Sequence, residues 1–151
     1  MSKPPIPKPG TPLTALGLMS GTSLDGIDVA LLHTDGEDRV SRGPARTFAY
    51  TEAQRSLLAS ALQAAAAVTS RDDRSGILAE AEVVLTHWHA DAVRAFCAET
   101  GTAVSTIDLI GFHGQTVIHR PEQRLTVQLG DGAALARALG RPVAYDLRAA
   151  D

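Results

Sequence analysis

Two short apolar runs open the chain, residues 13–18 and 27–32, joined by a polar, glycine-rich segment. A third run, RTFAYT at 46–51, is rich in β-formers, so the three predict an antiparallel meander. From residue 52 the period changes. Strong helix formers fill 52–68, with Leu57, Leu58, Ala61, Leu62 and Ala65 on one face. Thr51 stands at the N-cap position with Gln54 three residues on, a capping-box signature. After a polar turn, TSRDDRSG at 69–76, a second helical pattern puts Ile77, Ala81, Val84, Leu85, Trp88, Ala92, Ala95 and Phe96 on one face. Gly101 follows as a C-terminal cap. IDLIGFHG at 107–114 predicts a short buried parallel strand running into a turn. RLTVQLG then reads as a strand, GDGAALARALG as a short helix ending at Gly140, and PVAYDLR as a last strand. The predicted class is α/β, with a mixed sheet flanked by helices.

Size and charge narrow the function. The chain has 151 residues, 44% hydrophobic and 21% charged, which is the composition of one globular domain. A formal net charge of −3 offers no electrostatic footprint for nucleic acid or anionic lipid, so neither is expected as a partner. No apolar run has the length of a membrane span. A single cysteine, Cys97, excludes an internal disulfide and suits a reducing compartment, and a cytoplasmic location is expected. Residues 1–12 are rich in proline and predict a disordered tail ahead of a domain over 13–151.

The candidate chemistry concentrates in GLMSGTSLDGID at 17–28. A tight glycine-rich turn between two strands allows close backbone approach and exposes N–H donors, as a nucleotide's phosphates require. Gly21, Thr22, Ser23, Leu24, Asp25, Gly26, Ile27 and Asp28 are therefore the candidate nucleotide-binding residues. Asp25 and Asp28 are candidates to hold Mg2+ through its waters. An ordinary hairpin turn uses the same residue types, so both readings stand on turn chemistry alone. The pattern is neither a P-loop, since no lysine follows a glycine, nor a dinucleotide turn, since no helix follows.

His113 lies at a strand end beside Gly114, Gln115 and Thr116, where α/β folds place ligands, although a histidine there also satisfies turn backbone groups. Asp146 and Arg148 end the last strand and suit sugar hydroxyls and a carboxylate, or a strand-end ion pair with each other's neighbours. THWHAD at 86–91 mimics a zinc-hydrolase motif. It falls inside a helical pattern, where residues two apart point about 200° apart and cannot share one ion, so no metal site is assigned. A solvated helix face with Trp88 packed inward is expected instead.

The motif GLMSGTSLDGID resembles the opening signature of the anhydro-N-acetylmuramic acid kinase family, within the actin-like and sugar-kinase superfold. IGFHGQTVIHRP at 110–121 resembles the family's IGxHGQTxxHxP, TVQLGDGAALA its TxQIGNPALLA, and PVAYDLRAAD its VVADFRRRD. Asp131-Gly132 depart from the family's Asn-Pro, and Ala149-Ala150 replace two arginines. The resemblance implies a ribonuclease-H-like lobe of a two-lobed kinase. It also implies ATP and Mg2+ as cofactors and an anhydro amino sugar as substrate. The reaction opens the 1,6-anhydro ring hydrolytically and phosphorylates O6 in peptidoglycan recycling. It further implies that His113 and Gln115 bind the sugar, that the water-activating aspartate lies in a block beyond Asp151, and that the full-length protein forms a homodimer. A lobe that binds nucleotide or sugar without catalysis is the alternative.

Overall fold

The computed structural model describes residues 7–150. Its elements run β1 (Leu13–Ser20), β2 (Gly26–Thr34), β3 (Val40–Ala49), α1 (Glu52–Ala65), α2 (Ile77–Thr100), β4 (Leu109–Arg120), β5 (Leu125–Leu129), α3 (Gly132–Leu139) and β6 (Val143–Tyr145). Single turns of 3-10 helix cover Val104–Thr106, Pro121–Gln123 and Leu147–Ala150. Residues 1–6 of the expected tail lie outside the described residues. Over the remainder, the Thr11 amide donates to the Lys8 carbonyl and the Gly10 amide to that of Asp35.

The sheet has six strands in the order β3-β2-β1-β4-β5, with β6 also paired to β4. β1, β2 and β3 form the antiparallel meander, whereas β4 lies parallel to β1 and β6 parallel to β4. This mixed sheet and its three helices are the α/β layout of a ribonuclease-H-like lobe. β4 is longer than the short strand expected, because it changes neighbours midway. Its first half pairs with β6, its second half, from Gln115, antiparallel with β5. Gly114, at φ +71°, marks the change, and a Cβ there would lie 2.3 Å from the Leu129 carbonyl oxygen. Only glycine fits both the left-handed backbone and that approach.

One face of the sheet carries the core. Leu16 and Leu18 of β1, Val29 of β2, Ile110 and Phe112 of β4 and Leu129 of β5 meet Leu58 and Ala61 of α1 and Leu85, Val93 and Phe96 of α2. The alternation that buries Leu16, Leu18 and Ser20 leaves Gly17 and Met19 exposed on the other face. α1 starts as the pattern requires, since the Thr51 hydroxyl accepts from the Gln54 amide while the Gln54 side chain accepts from the Thr51 amide. Such a box stabilises a helix start by about 1 kcal/mol. Gly101 and Gly140 close α2 and α3 in left-handed conformation. No described helix is long and apolar enough to cross a membrane.

The THWHAD stretch is helical, with His87 and Asp91 exposed and Trp88 packed against the core, but His89 departs from the expected solvated face. His89 is fully buried and Trp88 only partly, its ring tilted against Tyr50 at 5.8 Å. His87 and Asp91 are exposed, and no group of three metal-ligating side chains occurs among the described residues. Nδ1–H of His89 donates to the Leu85 carbonyl at 2.8 Å, its ring meets Phe112 edge-on, and Nε2 has no partner. Burial pushes the imidazole down to about 4 from 6.5. In the unfolded chain it takes up a proton near 6.5, so between 6.5 and 4 the unfolded state binds more protons. Its contribution is therefore intact above 6.5 and lost as pH falls through 4, a loss of about 3 kcal/mol. Chemical denaturation of His89→Leu and the parent across this window should show a flatter acid limb in the variant.

Candidate functional site

Because β1, β4 and β6 run parallel, their C-terminal ends share one edge of the sheet. That topology brings together the turn after Ser20, the His113–Gln115 segment and the residues from Asp146 onward, sites distant in sequence. Turn residues 21–25 connect β1 to β2 without regular structure. Leu24 is left-handed at φ +56° and its amide donates to the Gly21 carbonyl, while its side chain packs on the core. The Ser23 hydroxyl donates to Asp25 Oδ1 at 2.8 Å. Thr22 is exposed and makes no hydrogen bond among the described residues.

The two turn glycines differ. A Cβ at Gly26 would strike the Phe48 carbonyl oxygen at 2.5 Å, so the strand pairing itself demands glycine there. At Gly21 the nearest atom, Ser23 Oγ, is 3.5 Å from a Cβ and φ is not left-handed. The fold therefore has room for a side chain at Gly21. Gly26 and Ile27 are buried at the start of β2. Asp28 lies on the exposed face of that strand and accepts from the Thr47 hydroxyl of β3, so it is not brought to the turn beside Asp25.

Beneath the turn runs a buried hydrogen-bond chain. The Tyr50 hydroxyl lies 2.7 Å from Ser20 Oγ, and Ser20 donates to Gln115 Oε1 at 2.6 Å. Since that carboxamide oxygen only accepts, Tyr50 must be the donor to Ser20. Gln115 Nε2 in turn donates to the Thr116 carbonyl. Burial pushes the Tyr50 phenol up to about 12, so it remains a donor. The Tyr50 amide also donates to the Asp25 carbonyl, which ties the turn at a second point. Gln115 is fully buried with both ends engaged and supports the turn from behind.

Where β4, β5 and β6 meet lies a polar cavity of about 130 Å³, whose walls include Arg71, Arg74, His113, Gln128, Tyr145 and Asp146. His113 Nδ1 is 3.1 Å from the Gly114 carbonyl oxygen, an acceptor, so Nδ1 carries the proton and Nε2 accepts from Gln128 Nε2 at 3.2 Å. Gln128 Nε2 also reaches the Thr116 hydroxyl, and its Oε1 is buried without a partner. An unpaired buried carbonyl of this kind costs about 1–3 kcal/mol and is relieved by a donor such as a sugar hydroxyl or amide. Asp146, left-handed at φ +54°, is paired with Arg71 at 2.6 Å. Arg74 braces the wall, its Nε donating to Glu82 and its Nη2 to the Gln128 carbonyl. Glu82 also accepts from the Gly130 amide, and Thr86 Oγ1 from that of Asp131. Arg148 does not line this cavity but a neighbouring one.

Sequence reasoning missed Arg71, Arg74, Gln128 and Tyr145. Arg71 and Arg74 sit in a turn read only as a separator, while a glutamine among apolar neighbours in LTVQL was a legible signal left unused. Tyr145 depends on Gly132, the residue standing in place of a family proline. A Cβ on Gly132 would overlap the Tyr145 ring, 2.1 Å from Cγ. Gly132→Ala should therefore destabilise the fold by about 2 kcal/mol, and Tyr145→Ala in the same chain should restore most of that loss. Denaturant midpoints of the four members of this cycle check the coupling.

A family model described as Anhydro-N-acetylmuramic acid kinase matches residues 13–151. Among curated relatives of that name, the protein of Bradyrhizobium diazoefficiens is 58% identical over 139 residues, covering 92% of this chain and 38% of the relative. That of Rhodopseudomonas palustris strain BisB18 is 56% identical with the same coverage, and that of Methylobacterium nodulans is 56% identical over 149 residues, covering 92% of this chain and 40% of the relative. The chain thus spans about two fifths of the length of the relatives it matches. By this match and these relatives, the chain belongs to the anhydro-N-acetylmuramic acid kinase family.

Proposed function

We propose that this lobe serves an ATP-dependent kinase that opens the anhydro ring of anhydro-N-acetylmuramic acid and phosphorylates the sugar at O6, in the cytoplasm. The observation that carries the reading is the shared edge. The turn with an open Gly21 and an unpartnered Thr22 follows β1 at the sheet edge where β4 and β6 also end, and the cavity with an unpartnered Gln128 oxygen is built on those two strands and β5. Bound ATP with Mg2+ would supply the phosphoryl group and screen its charge.

The chain's own residues divide the remaining work. Thr22 and the turn backbone present donors to phosphate oxygens, and Gly21 lets them approach. Asp25, held by Ser23, is the carboxylate nearest in sequence to those donors and suits the waters of the cation. Asp28, engaged with Thr47 on the strand face, is the less suited of the two. In the cavity, the Gln128 oxygen accepts from a sugar hydroxyl or acetamido N–H, and His113 keeps the Gln128 amide turned the right way. The edge carboxylates are already engaged, Asp25 with Ser23 and Asp146 with Arg71. We therefore assign water activation to the part of the relatives' length that this chain does not span.

Two outcomes test the reading. Gly21→Val should weaken ATP binding at least about tenfold by calorimetry while moving the melting temperature by no more than about 2 °C. Unchanged affinity would remove the turn from the nucleotide site. In a coupled ADP-release assay with the anhydro sugar, a protein extended to the relatives' length should exceed this chain by at least the roughly 10²–10⁴-fold that a general base supplies. Binding of both ligands with no turnover in the extended protein would favour a non-catalytic binding lobe.

A further inference from the structure

The turn over residues 21–25 is held from outside its own hairpin by one residue, Tyr50, which stands between the end of β3 and the N-cap of α1. Tyr50 reaches both ends of the turn. Its hydroxyl donates to Ser20 Oγ at 2.7 Å, where the turn begins, and its backbone amide donates to the Asp25 carbonyl at 3.0 Å, where the turn ends. The side chain is buried, and its ring lies against Trp88 of α2 with centroids 5.8 Å apart. Ser20 is held on its other side as well, since its hydroxyl donates to the buried Gln115 carboxamide of β4 at 2.6 Å. The hydrogen bonds within the turn are local by contrast, from the Leu24 amide to the Gly21 carbonyl and from the Ser23 hydroxyl to the Asp25 carboxylate. Neither of these bonds ties the turn to the helices; Tyr50 does, through Trp88.

Donors that are fixed before a ligand arrives need no ordering when it binds, and a loop free to shift loses that advantage. We propose that Tyr50 is a positioning residue for the nucleotide: by holding Ser20 and the Asp25 carbonyl at once, it sets the span of the turn so that Thr22 and the backbone donors meet the phosphates together. The inference rests on the assignment of this turn to nucleotide phosphates made above. Tyr50 is buried beneath the turn and acts through Ser20, not by touching the ligand. Its hydroxyl is the part that can be removed alone. In Tyr50→Phe the backbone amide still bonds to Asp25 and the ring keeps its place on Trp88, while Ser20 loses its donor and is tied to Gln115 only. The phenol suits the task, because burial raises its ionisation to about 12 and it keeps its proton throughout the neutral range.

The test uses ATP with Mg2+ and the protein extended to the relatives' length. Tyr50→Phe should raise KM for ATP about five- to tenfold, the scale of one hydrogen bond, and leave KM for anhydro-N-acetylmuramic acid within about twofold. Leu58→Val, a substitution in the core face of α1 matched to it by its fall in melting temperature, should leave both constants within about twofold. An unchanged KM for ATP in Tyr50→Phe, an equal rise in KM for the sugar, or an equal rise in Leu58→Val would overturn the positioning role. Ser20→Ala should reproduce the rise, and adding Tyr50→Phe to it should change KM for ATP by less than about twofold, because the hydroxyl acts through Ser20. Effects that multiply in the double variant would overturn that route. Calorimetry with Gly21→Val reads the underlying assignment separately. ATP binding weakened in Gly21→Val but not in Tyr50→Phe would overturn the positioning role and leave the proposed function standing. Affinity unchanged in both would remove the turn from the nucleotide site, and the positioning role with it.

Discussion

The site depends on a single close approach, the backbone of Gly114 against the carbonyl of Leu129. It lets β4 leave β6 and take β5 as its neighbour without breaking the strand. Before the change, β4 lies between β1 and β6 and sets three parallel strand ends level. After it, β4 projects past those ends and, with β5, raises a wall beside them. His113 and Gln128 meet on that wall. Parallel alignment supplies the floor of the site and the change of partner supplies its side.

Much of the scaffold was legible because it is written locally. Thr51 with Gln54, and the glycines at 101 and 140, mark helix ends by interactions within a few residues, and each acts where the sequence put it. The 3.6-residue period placed α2 correctly, yet a histidine on its inner side was assigned to water. A neutral imidazole with one nitrogen on a helix carbonyl and its ring on Phe112 costs far less to bury than its charged form. The length of β4 was not legible, since its second half is defined by a partner strand and not by its own period. Gln115 illustrates the same limit. Its position beside His113 is read from sequence, but the left-handed Gly114 between them breaks the strand alternation, leaving Gln115 buried while His113 lines the cavity.

The edge combines rigid and loosely held parts. Tyr50, Ser20 and Gln115 form a directed chain, Tyr50 donating to Ser20, Ser20 to Gln115 and Gln115 to the Thr116 carbonyl, so the turn rests on a defined support. The cavity wall is the converse: Gln128 spends its donors on His113 and Thr116 and keeps its acceptor unpaired. The chain beneath the turn is engaged at each link, and the cavity wall is short of one partner. Where ligand contributes the last hydrogen bond, its arrival also relieves a cost already present in the folded chain.

β3, the terminal strand of the sheet, is exposed along most of its length. Its pairing with β2 shifts register between Ala30 and Leu32, opposite Gly43 and Pro44. A strand whose outer rim lacks one amide hydrogen at Pro44, bends there, and carries Arg42 and Arg46 makes a poor template for another chain. The lobe can therefore leave a long border of its sheet in water without inviting edge-to-edge aggregation.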